Sequence, residues 1–345
     1  NALDAVTTAD RVTAIGFEAG TAVTSATDSI LIGAYAGNSL TEGINNLAIG
    51  TQALNTADTE ANNLAIGRSA LTTVNGGGEY NVAIGNYTLD ALTSGDGNTV
   101  VGYGAGTGAT TGGLNTIVGK DAGAGVLTNA AGHNLMLGYE AGASLTSGVR
   151  NILMAGKGAG YSLTTGSDNV FIGHEAGDSH DAETNNLGIG KAALGGPIAG
   201  GEYNVAIGNN ALDALTSGDN NVAVGYNSGT NLSTGVQNVT IGDAAGANIT
   251  TGSGNTCVGK DTGNIGAPIT TGSNNIFVGN AIAGTDSTHV NAIGIGHNFT
   301  VVGDHFAFGK QSNVVSNAFT SDANWSRTSD ERLKTNITNV SWDSL

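Results

Sequence analysis

The fold of this chain is decided by a short peptide, Asn81-Val82-Ala83-Ile84-Gly85, which returns with small changes about every 17 residues. Its closing glycine recurs at Gly16, Gly33, Gly50, Gly67, Gly85, Gly102, Gly119, Gly138, Gly156, Gly173, Gly190, Gly208, Gly225, Gly242, Gly259, Gly279 and Gly296. A fixed period over most of a chain is typical of a solenoid, in which each repeat forms one coil stacked on its neighbours.

Each coil has a strand part and a turn part. The aligned repeats read Asn-x-x-[Ile/Val]-Gly-x-x-Ala-[Gly/Leu], often followed by Leu-Thr-Thr/Ser-Gly. The β-branched residues favour a strand, and the glycine permits a turn that a side chain would obstruct. Because about 17 residues are too few for a strand-helix-strand crossover, the sequence predicts an all-β fold, a parallel β-solenoid of about 17-residue coils.

Asparagine opens the strand in 14 of the 17 repeats. These residues are Asn46, Asn63, Asn81, Asn98, Asn115, Asn134, Asn151, Asn169, Asn186, Asn204, Asn221, Asn238, Asn255 and Asn275. In a parallel stack each would lie about 4.8 Å from its counterpart, so the amides can hydrogen-bond along the axis. We expect a structural ladder here and not a series of ligand sites.

The residues within the strand favour self-association. Val82 and Ile84 point to one face of the strand and Ala83 to the other, and all three are apolar. A thin coil can bury only one of these faces within itself, so the other face requires a neighbouring chain. Packing of three chains about a long axis is the simplest closed arrangement, and we expect a homotrimer.

The repeats divide the chain into a shaft and a short end. Residues 1–296 carry the period and are predicted to form the β-solenoid shaft. Residues 297–328 are predicted to form a distal transition or tip region, and residues 329–345 have a different, charged composition. Within the shaft, residues 62–107 correspond to 185–230 at a constant offset of 123, which indicates a block duplication and argues against a unique catalytic centre in either copy.

The composition excludes several classes of partner. Only 11 Lys and Arg stand against 28 Asp and Glu, a net charge of −17, which would repel a nucleic acid backbone or an anionic membrane surface. No apolar stretch approaches the roughly 18 residues of a membrane helix, so we expect no membrane insertion. The single cysteine, Cys257, precludes a disulfide within the chain. Neither a cofactor site nor the close histidine spacing of a metal site is present in the sequence.

The position after the closing glycine is rich in side chains that could meet a sugar. The candidate glycan-binding stripe consists of Tyr103, Lys120, Tyr139, His174, Lys191, Tyr226 and Lys260. Aromatic faces with flanking carboxylates suit sugar rings. The same residues would also recur at equivalent positions of successive coils, which we call a column, if these side chains only contacted solvent on the outside of a solenoid. A depolymerase would need two carboxylates at a defined separation, and the acids here recur with the period without singling out a pair.

The charged end carries a specific motif, Ser329-Asp330-Glu331-Arg332-Leu333-Lys334-Thr335-Asn336-Ile337. It resembles the opening of the intramolecular chaperone domain that follows endosialidase-type bacteriophage tailspikes and tail fibres. The resemblance implies that Ser329 is a self-cleavage nucleophile with Lys334 as its base, and that the cut falls near Ser329-Asp330. Residues 329–345 would then be only the start of such a domain.

The repeats also resemble the β-roll of trimeric autotransporter adhesin heads, whose coils are shorter. Together the resemblances imply a structural, receptor-binding phage tail fibre or tailspike, located on the virion tail. Its expected partners are its own copies, other tail proteins and a host-surface glycan or protein receptor, which would bind either through the stripe or through the tip around Gly296 to Ala323. The alternatives are a bacterial trimeric adhesin head on the cell surface, or a polysaccharide depolymerase tailspike.

Overall fold

The structure, a computed structural model, describes residues 1–128, 132–264 and 268–319, together with the backbone of 326–328. It confirms an all-β parallel β-solenoid of about 17 turns, and the described residues contain no helix. The chain separates into two compact units, Asn1–Asn220 and Asn221–Leu345.

The described residues of the first unit, 1–128 and 132–220, form twelve short strands, one in each coil. They are β1 (Thr13–Ile15), β2 (Ile30–Ile32), β3 (Leu47–Ile49), β4 (Leu64–Ile66), β5 (Val82–Ile84), β6 (Thr99–Val101), β7 (Thr116–Val118), β8 (Leu135–Tyr139), β9 (Ile152–Lys157), β10 (Val170–Ile172), β11 (Leu187–Ile189) and β12 (Val205–Ile207). From β1 to β12 within this unit, successive strands pair in parallel with repeat positions in register, as where Ala83 of β5 pairs with Val100 of β6, apart from one shift between β8 and β9.

The second unit continues the pattern and then changes it. Its strands are β13 (Val222–Val224), β14 (Val239–Ile241), β15 (Thr256–Val258), β16 (Ile276–Gly284), β17 (Ile293–Val301), β18 (His305–Lys310), β19 (Asn313–Ala318) and β20 (Ser326–Thr328). The pairing is parallel from β13 to β18 and antiparallel from β18 through β19 to β20.

Small and aliphatic residues fill the interior of each coil. The middle residue of the strand is buried, as Ala83 shows, and the alanine three residues after the closing glycine, such as Ala105, is equally buried. A third buried column comes from the loop and includes Leu92 and Leu163. The segment after the glycine is a turn in most coils, whereas β16 and β17 continue through it as strands.

The closing glycines allow the coils to stack closely. Gly85 adopts a φ of 139°, which side chains rarely tolerate. A Cβ at this position would also collide with the carbonyl oxygen of Gly102 in the next coil. Gly156 is the exception: it has open space around it, and one extra residue separates it from the asparagine of its coil. The interpretation of Gly156 as an ordinary closing glycine was therefore wrong.

The predicted asparagine ladder is confirmed by the hydrogen bonds. The backbone N–H and the side-chain amide of Asn98 both donate to Oδ1 of Asn81, each at 3.0 Å. The same side-chain amide donates to the carbonyl of Gly112 at 3.0 Å. Asn98 therefore links its strand both to the preceding coil and to the loop of its own coil, and its polar atoms are satisfied away from water.

A buried carboxylate lies two residues before each of the duplicated blocks. Glu60 and Glu183 are 3% and 5% exposed and occupy a loop column that is usually glycine. Glu60 accepts hydrogen bonds from the backbone N–H groups of Asp58 at 2.7 Å and Gly77 at 3.1 Å. Glu183 repeats both contacts at 2.8 and 2.9 Å. Each carboxylate therefore accepts a hydrogen bond from the glycine-rich loop of the following coil and holds that loop in place.

The first and third residues of the strands form what we call the outer strand face. Val82 and Ile84 are partly exposed, whereas Ala83 between them is buried. The same pattern holds along β3, β4 and β10 to β12, and none of the first or third residues of β1 to β15 is charged. One chain therefore buries one face of its strands and leaves uncovered a face that is apolar except at Thr13, Thr99, Thr116 and Thr256.

Candidate ligand-binding surface

The seven residues of the predicted stripe share one column, directly after the closing position of each coil. Tyr103, Lys120, Tyr139, His174 and Lys191 lie in the first unit, and Tyr226 and Lys260 lie in the second. All seven are exposed to solvent. The column forms because the sharp turn at the glycine places the next side chain at a corner of the coil.

Lys120 is held by two neighbours. Its Nζ lies 2.5 Å from Oδ2 of Asp121 and 5.1 Å from the ring centre of Tyr139 in the next coil. The hydrogen bond to Asp121 raises the pKa of Lys120, and a hydrogen bond to Glu140 raises the pKa of the Tyr139 phenol. These exposed contacts arrange a cation, an aromatic ring and a carboxylate along one edge.

Tyr103 belongs to an aromatic group that the sequence prediction missed. Its ring meets Tyr87 at 5.8 Å in an edge-to-face arrangement, and the guanidinium of Arg68 lies 5.5 Å from the centre of the Tyr87 ring. Tyr87 occupies the second position after the closing glycine, with a φ of 59°. That left-handed turn brings adjacent columns together, and the period of the sequence could have indicated the pairing.

Two further members of the stripe lie beside carboxylates. In the first unit, Nδ1 of His174 is 3.3 Å from Oε2 of Glu175. In the second unit, Nζ of Lys260 is 3.3 Å from Oδ2 of Asp243 in the preceding coil. Both pairs are well exposed, so each contributes little to stability and remains accessible to a ligand.

A cavity of about 210 Å³ adjoins the stripe in the first unit and is lined by Glu140, Lys157, Gly158, Tyr161, Glu175 and Asp178. Asp178 is partly buried, and this burial raises the pKa of its carboxyl group. Lys157, Glu140 and Glu175 belong to the columns that the sequence predicts to be exposed, but the sequence did not predict a cavity among them. The available signal was the extra residue before Gly156, together with a glycine where neighbouring coils carry glutamate.

The predicted self-cleavage residues, Ser329, Asp330 and Lys334, lie outside the described residues. Across the described part of the chain, no three His, Cys, Asp or Glu side chains come together as a metal site would require. The same residues include no helix of sufficient length and apolarity to span a bilayer. Comparison with known proteins gives no match to a family model, a curated protein or a solved structure.

Proposed function

We propose that the chain is the shaft of a homotrimeric phage tail fibre or tailspike that binds a host-surface glycan, and that its copies pack through the outer strand face. The observation that carries the proposal is the uncovered apolar face. In the first unit, twelve strands about 4.8 Å apart give an outer strand face roughly 50 Å long and 10 Å wide, on the order of 500 Å².

An apolar face of that size favours a protein partner. Soluble monomers rarely expose contiguous apolar patches above a few hundred Å². Since the coils of every copy have the same spacing, a second and third copy would match this face column by column. Closed threefold symmetry would then cover it on all three chains without leaving an open edge for further growth.

Charge placed on the outer strand face tests the packing. The double substitution of glutamate for Ile66 and Ile189 puts charges on this face at equivalent positions of the two duplicated blocks. Glutamates at Thr165 and Ala199, which are exposed in loops, add the same charge elsewhere and serve as the control. We expect the first variant to lose the trimer and the control to keep it. Equal masses for the two variants would contradict the proposal.

The assignment to a phage tail rests on the motif from Ser329 to Ile337, and it includes self-cleavage beside Ser329. Mass spectrometry of the full-length product tests this directly. We expect a product shortened near Ser329-Asp330 from the natural sequence and an intact product from Ser329→Ala. Cleavage that continues in Ser329→Ala would remove Ser329 as the nucleophile.

Binding without turnover is the remaining part of the proposal. The exposed stripe offers rings, cations and carboxylates that repeat along the coils, which suits a long glycan lying across several of them. Incubation of the purified protein with host capsule or lipopolysaccharide checks for turnover. Released oligosaccharides would favour a depolymerase instead.

A further inference from the structure

The cavity beside the stripe exists because one side chain is missing. The second position after the closing glycine carries Glu140, Gly158 and Glu175 in three successive coils. All three have a left-handed φ, of 55°, 66° and 58°. A Cβ at Gly158 would have one neighbour within 4 Å, the Cβ of Tyr161 at 3.8 Å. The gap is therefore open to solvent and is bounded by a glutamate on each side.

A β-bulge shapes the same place. Leu137 pairs with Met154, but Tyr139 pairs with Lys157, so β9 carries one extra residue against β8. The extra residue falls at Ala155-Gly156, immediately before the cavity. Bulges re-aim the side chains that follow them and are frequent beside functional sites. Here the bulge sets the position of Lys157 on the cavity wall.

The walls offer both kinds of hydrogen-bonding group and an aromatic face. The carboxylates of Glu140, Glu175 and Asp178 are acceptors, and the ammonium of Lys157 is a donor that forms no ion pair among the described residues. Tyr161 is 44% exposed. Neighbouring hydroxyls of a sugar can donate to carboxylate oxygens and accept from the ammonium, while the apolar face of the ring packs on the tyrosine.

The charge of the cavity selects among sugars. Three carboxylates face one lysine, and Asp178 is already partly desolvated. A uronic or sialic acid would bring another carboxylate into this group and would be repelled. An uncharged sugar meets no such penalty.

We propose that the notch at Gly158, between Glu140 and Glu175, is a subsite for one non-acidic pyranose residue of a glycan. The subsite rests on the proposed function, glycan binding along the exposed stripe, because it assigns the binding of one sugar residue to the notch beside that stripe. The volume of about 210 Å³ limits the site to a single residue, such as a chain end or a branch.

Filling the notch tests the subsite. Gly158→Tyr places a ring in the gap, and the fold accepts tyrosine in this column because Tyr35 and Tyr87 occupy it at φ of 61° and 59°. Asn210→Tyr adds a ring to the same column in a distant coil and is the matched control. Saturation-transfer NMR with glucose, galactose, mannose, N-acetylglucosamine and glucuronic acid measures binding by each protein.

We expect at least one neutral sugar to give a signal with the natural protein and with Asn210→Tyr. The same sugar should give no signal with Gly158→Tyr. Glucuronic acid should give no signal with any of these three proteins. Tyr161→Ala, which removes only an exposed ring, should also lose the signal. A signal that survives in Gly158→Tyr, a glucuronic acid signal of equal strength, or no neutral sugar bound at all would overturn the subsite. A monomeric protein that still binds sugar at Gly158 would instead contradict the trimeric shaft.

Discussion

His180 gives the first unit a predictable weakness to acid. It is fully buried in the loop column that Leu163 fills one coil earlier, and its ring packs 4.6 Å from that of Phe171. Neither ring nitrogen has a hydrogen-bond partner. Burial lowers the pKa of His180 from 6.5 to about 3. Between pH 6.5 and 3 the imidazole of His180 binds a proton in the unfolded chain but not in the folded chain. The free energy of unfolding is therefore highest above pH 6.5 and falls as the pH drops toward 3.

The size of the effect follows from the pKa. Each unit of difference corresponds to about 1.4 kcal/mol, so at pH 4 the penalty has reached about 3 kcal/mol. The unpaired polar nitrogens add a cost of about 1–3 kcal/mol that does not depend on pH. His180→Leu should therefore stabilise this coil by about 1–3 kcal/mol at pH 7 and by about 4–6 kcal/mol at pH 4.

Hydrogen exchange measured by mass spectrometry over residues 170–190, for both proteins at pH 4 and pH 7, separates the two contributions. Intrinsic exchange rates cancel between proteins at the same pH, and so do the titrations of Asp178 and Asp213, whose pKa values burial raises in both. Leu163→His in the His180→Leu background should move the acid sensitivity one coil toward the N-terminus. A stabilisation by His180→Leu that is equal at the two pH values would refute the reasoning.

Three other substitutions or treatments test the packing. Asn151→Leu removes the acceptor for the N–H of Asn169 and the donor to Gly166, and should cost about 2–5 kcal/mol in guanidinium unfolding followed by circular dichroism; a cost below 1 kcal/mol would argue against the ladder. Gly85→Ala should lower the melting temperature far more than Gly156→Ala, which has open space around it, and equal effects would contradict the close stacking. The buried thiol of Cys257, with its pKa raised to about 12, should resist iodoacetamide at pH 8 until the protein is denatured, as the mass of the product would show.

The features that repeat were predictable from the sequence. A strand in each coil, its parallel register and the asparagine ladder follow from the period, because every coil meets a neighbour with the same residue at the same place. Alternation at Val82, Ala83 and Ile84 likewise predicted that the coil buries only one face of its strand, but not which face; the structure buries Ala83. These features depend only on the order of residues within one repeat, which the sequence gives directly.

The features that break the period were not predictable in the same way. The extra residue before Gly156 could lengthen a loop or bulge a strand, and the choice depends on how β8 and β10 hold β9 between them. The contact of Tyr87 with Tyr103 depends on the left-handed turn that follows the glycine. The notch at Gly158 combines both effects, which is why the sequence indicated the stripe but not its cavity.

The mass of the protein in solution tests the central claim most directly. The chain has a mass of 34.0 kDa, and a trimer packed through the outer strand face would have three times that mass. Sedimentation equilibrium of the Ser329→Ala chain, which self-cleavage would leave intact, should give about 102 kDa at micromolar concentration, and added salt should not dissociate the trimer because the contact is apolar. A mass of 34 kDa under these conditions would contradict the account.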